Sequence, residues 1–133
     1  ETLEKCRPTY KEVLDVSNKI RAKGWTHIDS HRGNFMCRAG TNEVVAIDFG
    51  WAIKESDKTY ENHQWAKNYP GITYEDMKVF HNKLLAEHFL DPTDPNRSKI
   101  LKPILEKYHK TLINLRKKQE LRGRRQGKPL TTK

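Results

Sequence analysis

The sequence predicts an α+β fold, mostly helical, with one small β-hairpin. Three observations point to it. Apolar residues recur at helical spacing in residues 9–23, 73–90 and 98–116; two short β-type runs flank the turn signal Gly40-Thr41-Asn42; and no internal repeat is visible. At 133 residues the chain is the size of one domain, and such a domain buries about two thirds of its unfolded surface. Charged residues make up 32% against 35% hydrophobic. That is the polar end of globular composition, and the clear periodicity excludes a chain disordered throughout.

The first element, "TYKEVLDVSNKIRAK", sets Tyr10, Val13, Val16 or Ser17, and Ile20 on one stripe and stops at Gly24. "NFMCRA" and "EVVAIDF" are the strands of the hairpin. From Trp51 to Gly71 no period holds, which predicts mostly loop, with Tyr60, Trp65, Tyr69, Tyr74 and Trp51 as core aromatics rather than a stacking platform. The second helix begins at the N-cap Thr73, with Asp76 three residues on, and repeats apolar positions at Met77, Phe80, Leu84, Leu85 and Phe89. A third follows "DPTDPN" from Ser98, with Leu101, Ile104, Leu105, Tyr108, Leu112 and Leu115 on its stripe. Pro103 fits such a helix only in its first turn or at a kink, and beyond Arg116 the stripe thins.

Cys6 and Cys37 stand 31 positions apart with no CxxC, the pattern of reduced thiols in a cytoplasmic, reducing compartment. No apolar run is long enough to span a bilayer, and no charged-then-apolar leader opens the chain. It begins at Glu1 rather than methionine, as a fragment or a processed product would. The net charge of +9 is uneven: residues 1–109 hold 17 Lys and Arg against 16 Asp and Glu, and residues 110–133 hold nine against Glu120 alone. A division follows, with a domain at 1–109 and a basic helix end and tail at 110–133.

The chemistry-bearing stretch is "HIDSHRGNFMCRAGTNEVVAIDFG", residues 27–50. His27, Asp29 and Asn34 fit HxDxxxxN, and Asp48-Phe49-Gly50 follows the hairpin, which returns a second carboxylate to the same end of the sheet. Phosphoryl transfer needs such a set: a carboxylate to orient the acceptor hydroxyl and oxygen ligands for magnesium. Six specified positions at near-fixed spacing arise by chance on the order of 10⁻⁵ times in a chain this long.

These residues resemble the C-terminal lobe of the protein-kinase-like superfamily. With His31 two places after Asp29 and Gly33 before Asn34, the loop is more similar to the HxDxHxGN loops of aminoglycoside and choline phosphotransferases and of atypical small kinases than to those of ordinary protein kinases. The resemblance implies a kinase C-lobe-like fold and an ATP- and magnesium-dependent phosphotransferase. Asp29 would be its catalytic aspartate, with His31 or Arg32 near the transferred phosphate, all three being candidate catalytic residues. Asn34 and Asp48 would be metal ligands, Phe49 and Gly50 would complete the nucleotide loop, and His27 would support the catalytic loop by packing. No APE motif follows. No glycine-rich loop or strand-borne lysine precedes the first helix, so the N-lobe is expected to be absent and supplied by a protein partner or a longer parent chain.

A second reading is a kinase-fold scaffold without turnover, one component of a larger assembly. In either reading the tail residues Arg116, Lys117, Lys118, Arg122, Arg124, Arg125 and Lys128 are candidates for contact with nucleic-acid phosphates. His81 and His88, seven apart, are too far along a helix to share a metal ion, whose helical ligands come four apart.

Overall fold

A computed structural model of the chain describes residues 2–57 and 59–125. The architecture is α+β, with three α-helices and small antiparallel sheets. In order these are β1 (Leu3–Glu4), α1 (Tyr10–Ala22), β2 (Trp25–Thr26), β3 (Phe35–Arg38), β4 (Val44–Ala46), β5 (Ile53–Lys54), α2 (Tyr74–Phe89) and α3 (Arg97–Arg125).

Local chemistry sets the helix ends. Thr9 and Thr73 each cap a helix with a side-chain oxygen, and Glu12 and Asp76 reach back to complete both capping boxes. Gly24, at φ 86°, takes the left-handed position that ends α1. The face of α1 that turns inward carries Val13 and Ser17, both buried. α3 runs unbroken through residues 109 and 110, and Pro103 stands in its second turn rather than its first. The amide that Pro103 lacks would have bonded the carbonyl of Lys99, an exposed residue open to water.

The hairpin strands are shorter than their sequence runs: β3 and β4 pair Phe35 with Ala46 and Cys37 with Val44. Beyond Ala46 the chain leaves the sheet, so Asp48 and Phe49 belong to a loop. Two further pairings involve two-residue strands. β2 pairs with β5 inside the stretch expected as loop, and β1 pairs with β3, setting Glu4 opposite Cys37.

The β1 pairing corrects the expectation of reduced thiols. It carries the start of the chain alongside β3, where Cys6 and Cys37 are bonded as a disulfide with Cα atoms 5.8 Å apart. A strand of two residues has no readable alternation, which is why spacing alone favoured free cysteines.

Two core clusters hold the elements together. Val13, Phe35, Cys37, Val44, Leu85 and Phe89 fill the space between the hairpin and the first two helices. Ile28, Ile53, Ala66, Ile72, Met77, Phe80 and Leu115 form the other, flanked by Tyr60, Trp65, Tyr69, Tyr74, Tyr108 and Leu112. Four of the five aromatics expected in the core are therefore there. Trp51 is not: it is 41% exposed and lies edge-on to His63. No helix among the described residues is long and apolar enough to cross a membrane.

Candidate functional site

The loop from His27 to Asn34 is tied down by its own polar groups. The Asn34 amide nitrogen donates to the Asp29 carboxylate at 3.1 Å and also to the Asp29 backbone carbonyl. Asn34 is 5% exposed, so this clasp sits at the protein boundary and fixes Asp29 above it. The other Asp29 oxygen faces His31 Nε2 at 3.6 Å. The His31 ring is oriented by Gly33, whose N–H donates to Nδ1 at 3.1 Å; with Nδ1 accepting, Nε2 carries the proton of the neutral ring and presents it toward Asp29. Arg32 leans the other way, its guanidinium 5.9 Å above the Phe89 ring.

Asp48 lies just past the hairpin at φ 57° and ψ 76°, a left-handed conformation that few non-glycine residues adopt. Its carboxylate accepts the Gly50 N–H at 3.4 Å, and Asp48, Phe49 and Gly50 are all exposed. Three contacts stitch this loop to the first. Ile47 N–H donates to the Asn34 carbonyl at 2.8 Å, and His27 Nε2 lies 2.8 Å from the Ile47 carbonyl and 3.0 Å from that of Asp48. The Phe49 ring stands edge-on to His27 at 4.7 Å.

Behind the loops runs a buried polar chain that the motif does not specify. Arg21, on α1, donates to His81 Nδ1 and, at 2.7 Å, to Asn82 Oδ1. With Nδ1 accepting, His81 is the Nε2–H tautomer, which donates to Ser30 Oγ at 2.9 Å. The Ser30 hydroxyl in turn faces the His27 carbonyl oxygen and His27 Nδ1, the latter 3.0 Å away. Burial, then the Arg21 guanidinium and the His27 ring, hold the His81 pKa well below its usual value, so this imidazole is neutral. Arg21, His81 and Ser30 thus set the orientation of His27, and through it the Asp48 carbonyl. They were not legible as site residues, because contacts across 51 and 60 positions leave no local pattern.

The oxygen set at the loops suits a hard cation. With its amide nitrogen committed to Asp29, Asn34 keeps its carbonyl oxygen as a donor, and Asp48 supplies a carboxylate. Magnesium takes few protein ligands and fills its octahedron with water and substrate phosphates, and Asn34 and Asp48 are the residues here that could hold it. No group of three His, Cys, Asp or Glu residues suited to a metal occurs among the described residues. A separate depression of about 270 Å³, lined by Glu61, Lys67, Tyr69 and Pro70 among others, contains none of these residues.

Of the tail residues, Arg116, Lys117 and Lys118 are exposed on α3; Arg122, Arg124 and Arg125 lie in its last described turn; Lys128 is outside the described residues. No protein-family model, curated protein or solved structure matches this chain.

Proposed function

We propose that the paired loops at Asp29–Asn34 and Asp48–Gly50 are the phosphoryl-transfer centre of an ATP- and magnesium-dependent phosphotransferase. The observation that carries this reading is the grip of His27, whose ring bonds the carbonyls of Ile47 and Asp48 while its own loop holds Asp29 and Asn34. The two loops that carry Asp29 and Asp48 are thereby tied to each other through their backbones, which supports a shared site for both carboxylates.

Asp29 orients the acceptor hydroxyl and takes its proton as the oxygen bonds the terminal phosphorus of ATP, while the bond from that phosphorus to the bridging oxygen breaks and ADP leaves with the electron pair. Asn34 holds the Asp29 carboxylate in place by hydrogen bonding to Oδ2. His31, with its Nε2 toward Oδ1, keeps the second carboxylate oxygen from turning away. Asn34 and Asp48 would hold magnesium, which when bound neutralises charge on the phosphates. The glycine-rich loop and the lysine of a complete nucleotide cradle come from a second polypeptide segment in this proposal. The exposure of Phe49 and Trp51 beside the loop, 49% and 41%, supports a covering element there.

Calorimetric titration with Mg-ATP tests the reading. The expected result is saturable, magnesium-dependent binding that Asp48→Ala abolishes while the circular dichroism is unchanged. Binding by Asp48→Ala equal to that of the unaltered chain, or no heat at millimolar nucleotide, overturns it.

A further inference from the structure

The positive charge of the molecule is concentrated on one element. α3 carries eleven Lys and Arg against Glu106 and Glu120, net +9, whereas residues 1–96 carry 13 against 15, net −2. Helical geometry at 100° per residue divides α3 into two sides. Tyr108, Leu112 and Leu115 face inward and pack on the Met77–Phe80 cluster, with Leu115 1% exposed. Lys99, Lys102, Lys110 and Lys117 lie on the opposite side within an arc of about 80° that Glu106 and Glu120 share, flanked by Lys107 and Lys118. All six lysines are exposed. Among the described residues none of them forms an ion pair. The row from Lys99 to Lys117 spans about 27 Å at 1.5 Å per residue.

We propose that this side of α3 is a docking surface for double-helical nucleic acid, held through its phosphates. The proposal goes beyond phosphoryl transfer and stands whether or not that reading holds. Charge complementarity is the first argument: a row of ammonium groups on a helix already fixed by its buried side meets a polyanion without having to be ordered first. The chemistry of the remaining residues selects the partner. Single-stranded nucleic acid is gripped by aromatic rings that stack on bases, but Tyr108, the only Phe, Tyr or Trp in α3, is turned inward against Phe80 at 5.0 Å. An anionic membrane calls for a continuous apolar face. The exposed apolar residues of α3, Ile100, Ile113 and Leu121, stand about 20 and 12 Å apart along the axis and make no such face. Lysines spread along one side of a helix address the backbone rather than base edges, so recognition is blind to sequence.

Fluorescence anisotropy with labelled duplexes of about 20 base pairs, one DNA and one RNA, tests the surface on the full chain. The slope of log affinity against log salt should be about −4 to −5, for roughly five phosphates contacted, and shuffled duplexes should bind alike. The variant K99E/K102E/K110E/K117E should weaken binding roughly 100-fold at 0.1 M salt. The variant K5E/K11E/K19E/K67E, which brings the net charge to the same value at exposed positions elsewhere, should stay within about threefold. Circular dichroism checks that both sets fold, and a Lys→Gln set at the same four α3 positions replaces the glutamate set if that loses helix. Equal weakening by the two charge-matched variants overturns the proposal. So does failure to bind either duplex at about 0.05 M salt, or tighter binding to phosphatidylserine vesicles than to duplex.

Discussion

Asp48 holds a backbone conformation that costs a non-glycine residue roughly 1–3 kcal/mol, with φ at 57°. Glycine takes that conformation freely, so Asp48→Gly should be neutral or raise the unfolding free energy by about 1 kcal/mol in a denaturant melt. The same variant should lose Mg-ATP binding in calorimetry, since the carboxylate is gone. A variant that loses both stability and binding would mean that Asp48 serves the fold. His81 makes a prediction of a different kind. Its folded pKa lies well below its unfolded value, lowered first by burial, so the unfolded chain binds the extra proton. Stability from this residue is fully present above about pH 6.5 and is lost as pH falls below it, by up to about 1.4 kcal/mol per pH unit. Denaturant midpoints from pH 7 to 4 should follow that trend, and His81→Gln should flatten its upper part. At this scale Asp29, Asn34 and Asp48 were singled out because they recur at a recognisable spacing within 20 residues of sequence. Arg21 and Ser30 were not, because the imidazole between them arrives from a distant helix.

The elements most easily read were those with local stop and start chemistry. Thr73 and Asp76 announced α2, and the observed capping box uses both. The strands β1, β2 and β5, of two residues each, carry no period and depend on partners elsewhere in the chain. The disulfide was hidden for the same reason, since only the pairing of β1 with β3 makes Cys6 and Cys37 neighbours. It closes a loop of 31 positions, and in the chain-entropy account such a loop stabilises by about 3–4 kcal/mol. Dithiothreitol should therefore lower the denaturant midpoint, whereas in Cys6→Ser, which starts without the cross-link, the reductant should have no effect. Equal midpoints for the unaltered chain with and without reductant would refute this.

In the whole molecule, α3 crosses the boundary that charge composition suggested at residues 109 and 110. The charge count changes there because basic residues cluster beyond it; the packing does not, because Leu112 and Leu115 continue the contact with Met77 and Phe80. Ending the chain at His109 should remove that contact and abolish a cooperative thermal transition. Leu115→Ala in the full chain should cost about 2–5 kcal/mol. A cooperative melt by the shortened chain at an unchanged midpoint would show that residues 110–125 are dispensable to the core. The same helix gives the molecule a strong electrical asymmetry, with a net +9 along one rod and a net −2 over residues 1–96. Such an object has a preferred heading in a field gradient: near any extended polyanion it feels a torque as well as an attraction, and turns α3 inward before contact. Its encounters are therefore pre-aligned, and raising the ionic strength should randomise the approach by shortening the distance over which that torque acts.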